Sequence, residues 1–384
     1  MANGSASRLL LDAVTAPLHP LARDTLVAAL DAGWGDPRRL HAEGRAAAQL
    51  LETGRAVLAE GLDVAAGTLS LHSSPAQALD TAIRGLRHGR RRVGERLVTT
   101  AVDQAIVLAH AGAGHDEYHP VAVDTTGRVD LTELAAAVRA PGVGLVVLAS
   151  ANPEVGTCQP IDEVHRLCRA VGVPLLVDAT AGLGRQDTPA HWDVLVGSSA
   201  SFAGPPLGIL VVRPGTRFDA SGPGRESEHG RALAPAWVPL VLAAAEAWQQ
   251  TRAAHADDEA RSFALIEQIR QAARTVTDTE VAGDAVARLP HVVTFSALYC
   301  DGETLVRAFD QRGYAVASGS ACTSSTLAPS HVLAAMGALT HGNVRVTLPL
   351  PSLVEGLSEG VTAFCATIPE VVAQVRAQLG VGGL

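Results

Sequence analysis

The sequence predicts an α/β protein with a mostly parallel sheet and a smaller α+β unit beside it. Three observations lead there. Short apolar runs at 145–148, 173–177 and 209–212 are bounded by Gly, Pro or Asp, as strands buried on both faces are. Segments with helical spacing of apolar residues, 131–139 and 161–171, lie between the runs. The chain has 384 residues, more than the roughly 100–200 of one typical domain, so a second unit is expected.

Taken in order, 21–32 and 43–60 carry apolar residues at helical spacing and open the chain as helices. The strand and helix runs from 131 to 212 then read as βαβ units, which place ligands beyond the carboxyl ends of the strands. A polar, Gly-rich stretch at 219–230 reads as a long exposed loop. A helical stretch of 236–277 connects to the second unit, where 291–297, 303–312 and 343–348 suggest alternating strand and helix.

Composition narrows the class. Hydrophobic residues make up 47% and charged residues 18%, which is a globular balance, and the formal charge of −9 offers no general attraction for nucleic acid or an anionic membrane. The arginines at 87, 90, 91, 92 and 96 form a local exception that reads as a solvated helix end and turn. No apolar run reaches the roughly 20 residues of a membrane span. The N-terminal stretch has no basic start followed by an apolar segment, so a cytoplasmic location is expected.

Five cysteines, Cys158, Cys168, Cys300, Cys322 and Cys365, are odd in number and lack C-x-x-C pairing, which indicates neither a disulfide framework nor a zinc site. His110, His115, Asp116, Glu117 and His119 cluster over a short loop, but their spacing fits no established ligand pattern, and no metal is expected.

Five ordered segments carry a resemblance. They are LLLDAVTAPLHPLA from Leu9, LLVDATAG from Leu175, GPPLGILVVR from Gly204, SGSACTSSTLAPSHVLAAMG from Ser318 and NVRVTLP from Asn343. In this order the chain resembles the cysteine desulfurases, which are fold-type I pyridoxal-phosphate enzymes of the class-V aminotransferase group. The resemblance implies a large α/β domain over 13–251 with a seven-stranded, mostly parallel sheet, and a small α+β domain from 1–12 and 252–384. It also implies a dimer with sites near the subunit interface.

The resemblance assigns positions, and several depart from the pattern. Ser201 stands where the family carries the lysine that binds the cofactor, with Ala200 beside it in place of a histidine. Asp103 matches the histidine that stacks on the pyridine ring, Pro153 an asparagine that faces the ring hydroxyl, and Ala181 a glutamine. The phosphate-binding turn reads Ser74, Pro75, Ala76, losing a hydroxyl but keeping a helix start. Asp178 remains at the position of the pyridinium partner, and Ser198 at one that can contact phosphate.

The chain has no lysine at all; its thirty basic residues are arginines. A Schiff base needs an amine that can deprotonate, and a guanidinium cannot replace it, so this chain alone forms no internal aldimine. On this reading no cofactor is expected, with pyridoxal phosphate bound only non-covalently if at all. What the resemblance retains is Cys322, which the family uses to carry sulfur as a persulfide, and Arg345, its clamp for the substrate carboxylate.

Three functions follow as expectations. The first is a degenerate desulfurase-like partner or scaffold in sulfur trafficking, which accepts persulfide on Cys322. The second is a desulfurase that moves sulfur from L-cysteine to Cys322 with non-covalent cofactor, alone or beside an active subunit. The third is another enzyme reusing Asp103, Asp178 and Arg345. Expected partners are a second copy or a desulfurase-family subunit, and a sulfur-acceptor or pathway protein.

Overall fold

A computed structural model describes residues 8–15, 17–33, 35–113, 118–220, 226–319, 329–378 and 380. The chain opens with β1 (Leu9–Leu10), α1 (Pro20–Asp31) and α2 (Ala42–Gly61), followed by β2 (Leu69–His72), α3 (Pro75–Arg90), β3 (Arg96–Val98) and α4 (Ala105–Gly112). It continues through α5 (Leu131–Arg139), β4 (Val143–Ala149), α6 (Ile161–Ala170), β5 (Leu175–Asp178), β6 (Val194–Ser198) and β7 (Gly208–Val212). The last third contains α7 (Val238–Arg274), β8 (Thr279–Ala282), β9 (Val292–Ala297), α8 (Gly302–Asp310), β10 (Tyr314–Ala315), α9 (His331–Met336), β11 (Asn343–Thr347) and α10 (Leu357–Gln378).

Among the described residues the large sheet has six strands, one fewer than the resemblance implies, in the order β2-β7-β6-β5-β4-β3. The pairs from β3 to β6 are parallel, and β7 is antiparallel to both its neighbours. Alternation along each strand divides two cores. Val146, Leu148, Leu175, Val177, Ile209 and Val211 face one, with α2, α5, α6 and the start of α7; Leu145, Val147, Leu176, Val194, Val196 and Leu210 face the other, with α3 and α4. Coverage of both faces is why these strands read as continuous apolar runs.

Helix ends follow local chemistry. The Asp130 carboxylate accepts from Thr132 N–H at 2.8 Å and Glu133 N–H at 3.0 Å to start α5, and Ser74 caps α3 ahead of Pro75. Gly208 opens β7 against that same helix start. A Cβ there would lie 2.3 Å from the Ser74 carbonyl oxygen, so only glycine allows the approach.

The second unit pairs β8, β9 and β11 as an antiparallel sheet in the order β11-β9-β8. Its core joins α8, α10 and the latter part of α7, and it takes in Leu11 from the start of the chain, whose neighbouring β1 runs parallel to β10. The single helix α7 has 37 residues, about 55 Å at 1.5 Å per residue, and contributes Val241 and Trp248 to one core and Ile266 and Ile269 to the other.

The stretch expected as a long exposed loop is only partly so. Residues 221–225 lie outside the described set, but Glu228 is buried against Arg55 of α2. Its partner is 173 positions away, which local composition does not reveal.

Candidate functional site

The carboxyl ends of β4, β5 and β6 bring Ala149, Asp178 and Ser198 to one edge of the sheet. Asp178 is 3% exposed. Its Oδ1 accepts from Thr180 N–H at 2.9 Å and Thr180 Oγ1–H at 2.6 Å, and its Oδ2 accepts from the Gln104 amide at 2.5 Å. The same Gln104 nitrogen lies 3.0 Å from Thr180 Oγ1. Burial pushes the Asp178 carboxyl above the ordinary aspartate range, with Thr180 and Gln104 opposing and Asp103 adding to the rise. Among the described residues Asp178 has no ion-pair partner.

Asp103 is 2% exposed and faces backbone. Its Oδ2 accepts from Thr99 Oγ1–H at 2.5 Å, Thr100 N–H at 2.8 Å and Thr100 Oγ1–H at 2.7 Å, while its Oδ1 accepts from Ala149 N–H at 2.7 Å. These bonds tie the exit of β3 to the end of β4. The side chain that reaches Asp178 is the next one, Gln104, which sequence reasoning missed. Its signal was weak: one polar residue just ahead of the apolar run Ala105–Ala109 that opens α4.

Ser201 sits in a 3-10 turn, Ser199–Phe202, just beyond β6. Its hydroxyl lies 2.7 Å from the Leu183 carbonyl oxygen and 2.6 Å from that of Ser198, so it is engaged with backbone. Two further groups brace the turn: Thr251 Oγ1–H donates to the Phe202 carbonyl at 2.9 Å, and Arg185 Nε–H to the Ser201 carbonyl at 2.6 Å. Arg185 is buried, and desolvation pulls its guanidinium down to about 10, with Asp258 opposing. Nothing in the local sequence marked Arg185.

At the start of α3 the Ser74 hydroxyl accepts from Gln77 N–H at 3.1 Å, while Gln77 Oε1 accepts from Ser73 N–H at 3.0 Å and Ser73 Oγ–H at 2.7 Å. The helix start therefore caps itself, with Pro75 offering no N–H.

Arg345 lies on β11, where its backbone bridges Ala317 in both directions, and its Nη2 is 3.5 Å from Asp12 Oδ1. Cys322 lies outside the described residues. The chain on either side of its segment is held in place: Gly319 N–H donates to Asn343 Oδ1 at 2.6 Å, and Ser330 caps α9. A Cβ at Gly319 would come 2.2 Å from Glu154 Oε1, so this buried glutamate lines the entry to the segment. Burial pushes Glu154 upward, against Ser330, Arg345 and His331. His331 in turn lies 3.0 Å from the Asp103 carbonyl oxygen and joins α9 to the turn before α4.

The four described cysteines are free and held as thiols. Burial raises Cys158 and Cys365 to about 11 and Cys168 to about 12, and it raises Cys300 as well, with Arg376 opposing. The cluster from His110 to His119 is partly outside the described residues, and no group of three metal-binding side chains occurs among those that are described.

The family model for class-V aminotransferases matches residues 9–357. The chain belongs to that family. Its curated relatives include a cysteine desulfurase, IscS 1, of Archaeoglobus fulgidus, 28% identical over 371 residues that cover 95% of this chain and 96% of the relative. The mitochondrial cysteine desulfurase of Eremothecium gossypii is 30% identical over 86% of this chain and 70% of its own. By fold the chain is similar to a solved NifS-like protein, with a TM-score of 0.85, 22% identity and coverage of 96% of this chain and 100% of that one. It also matches the apo structure of a cysteine desulfurase from Thermococcus onnurineus, with a TM-score of 0.82, 17% identity and coverage of 96% and 95%. This is a cysteine-desulfurase-like member of the family.

Membership corrects one expectation, that of no cofactor. The curated relatives are cysteine desulfurases, a pyridoxal-phosphate family, so absence of the cofactor does not follow from the loss of one lysine. At the ring end the residues fit the cofactor: Asp178 is a buried carboxylate without a cation, suited to a ring N–H. Ser198, at the end of β6, stands where the resemblance places a phosphate contact.

Proposed function

We propose that this desulfurase-like protein serves sulfur transfer through protein partners, with Cys322 as the thiol that receives sulfur and without imine chemistry of its own. The observation that carries the reading is Ser201: the position of the family's amine holds a hydroxyl already engaged with two backbone carbonyls. No other lysine exists in the chain to take its place.

A bound pyridoxal phosphate supplies an electron sink for a substrate carbon. The chain's own contributions are separate from that. Asp178 would hold the ring end, Ser198 would offer a hydroxyl near the phosphate end, and Arg345 would offer a guanidinium matched to a carboxylate. Cys322, as thiolate, attacks the outer sulfur of a donor persulfide. The donor's S–S bond breaks as the new one forms, the donor leaves as a thiolate, and the Cys322 proton passes to solvent. The exchange is redox neutral, so no added oxidant or reductant is needed.

The partners on this reading are a second copy or a desulfurase-family subunit, and an acceptor protein, in the cytoplasm. No described helix is long and apolar enough to cross a membrane.

A second reading has its own support in Asp178. A buried carboxylate without a cation favours a seat kept for the cofactor, and with it a desulfurase that moves sulfur from L-cysteine to Cys322 unaided.

Labelled L-cysteine tests both. With an active cysteine desulfurase present, label is expected on the wild-type chain and absent from Cys322→Ser; label persisting on that variant refutes the relay. Label gained from cysteine and pyridoxal phosphate with no desulfurase present selects the second reading.

A further inference from the structure

We propose that Gln104 is a latch on the cofactor seat: its side-chain amide takes the place of the cofactor's ring N–H at Asp178 and must rotate away before the ring can dock. Both groups are N–H donors, and both address the same buried carboxylate. The Gln104 amide lies 2.5 Å from Asp178 Oδ2, while Oδ1 is already taken by the N–H and hydroxyl of Thr180. Oδ2 is thus the oxygen left for a ring nitrogen, and Gln104 occupies it.

Two independent features make Gln104 a movable group rather than part of the frame. It is the N-cap residue of α4, yet its side chain makes no capping bond to that helix and reaches across to β5 instead. Val107 N–H already donates to the Gln104 carbonyl at 2.8 Å, so the N–H groups of Ala105 and Ile106 are the first-turn donors open to the released amide oxygen. The backbone beside it is held from two sides. The Asp103 carboxylate accepts from Thr100 and Ala149 N–H groups, and the Asp103 carbonyl faces His331 at 3.0 Å. The Gln104 side chain itself is held by its nitrogen alone, to Asp178 Oδ2 and at 3.0 Å to Thr180 Oγ1, and rotation breaks both contacts.

A hydrogen bond to a charged acceptor that must be broken before a ligand binds lowers the ligand's affinity by roughly tenfold or more. Removing the latch leaves Asp178 buried with one donor fewer, which raises the gain from docking a ring N–H. The inference rests on the family's cofactor and on Asp178, not on sulfur transfer by Cys322; label on Cys322 decides that reading separately.

The experiment is equilibrium dialysis of the full chain with pyridoxal phosphate and with its analogue in which the ring nitrogen is replaced by CH. Wild type, Gln104→Ala and Gln104→Met are compared, each checked for a cooperative thermal transition. The methionine keeps the bulk of glutamine and loses its donor, so it separates hydrogen bonding from space and guards against a collapsed alanine variant. The expected result is a gain of about tenfold or more for pyridoxal phosphate in both variants, with no gain for the analogue. The proposal is overturned if the variants bind the cofactor no better than wild type, if neither binds it measurably, if only alanine gains, or if the analogue gains equally.

Discussion

Glu228 and Asp178 are both buried carboxylates, but they are set in opposite electrostatic company. Glu228 accepts from Arg55 through both oxygens, at 2.5 and 3.0 Å, and from Leu71 N–H at 2.8 Å. Burial alone would raise it; Arg55 and the backbone donors outweigh burial and hold it below the ordinary glutamate range. Asp178 has neutral donors only and a carboxylate neighbour in Asp103, and it stays raised. A buried charge with a guanidinium in place serves the fold, here by fastening the 226–236 segment to α2 and β2. A buried charge that keeps only neutral partners costs stability, and such costs collect where a ligand completes the site.

Three substitutions break or sharpen this contrast. The largest effect is expected from Glu228→Ala, which leaves the buried Arg55 with only the exposed Glu52 as ion-pair partner, at 3.1 Å, and should cost about 3 kcal/mol in denaturant unfolding. A loss below about 1 kcal/mol would remove the distinction, because that is the worth of an exposed pair.

Asp178→Asn should move stability the other way, on the order of 1 kcal/mol at neutral pH, since it removes a buried charge while Gln104 can flip to present its oxygen. The sign follows from linkage. Asp178 is raised in the fold, so its charge costs nothing below the ordinary aspartate range near about pH 4 and the cost grows as pH rises through the raised value. The advantage of the asparagine should therefore be absent in acid and appear toward neutrality. Glu228 is depressed, so its contribution is present at neutral pH and is lost as pH falls through the depressed value. Thermal midpoints of both variants against pH check the two signs together, and parallel profiles would contradict them.

An effect no larger, about 0.5–1 kcal/mol for a lost helix cap, belongs to Ser74→Ala. It sharpens the comparison by asking whether the self-capped start of α3 is held for stability. Unchanged unfolding would show that Gln77 and Pro75 suffice to set that helix end.

Much of the large sheet was legible because its strands are buried on both faces. The runs at 145–148 and 209–212 lie within strands and 173–177 overlaps β5 from Leu175, while helices expected at 21–32, 43–60 and 236–277 fall within a few residues of α1, α2 and α7. β3 and β8 were not legible: each is short, and exposed or half-exposed residues break its apolar signal. At the candidate site, position alone marked Asp178, Ser198 and Ser201. It could not say which way Asp103 points, and it passed over Gln104, Arg185 and Glu154, whose roles come from neighbours far away in the chain.

The sequence by itself determined the family pattern, the alternation of strand and helix, and the absence of any amine for an imine, because these depend on residue identity and local order. Only the tertiary structure decided that Asp103 is turned into backbone, that Gln104 covers Asp178, and that Glu228 meets Arg55. Those are contacts between elements brought together by sheet order and helix packing, and a buried carboxylate takes its energy from whichever donors that packing supplies.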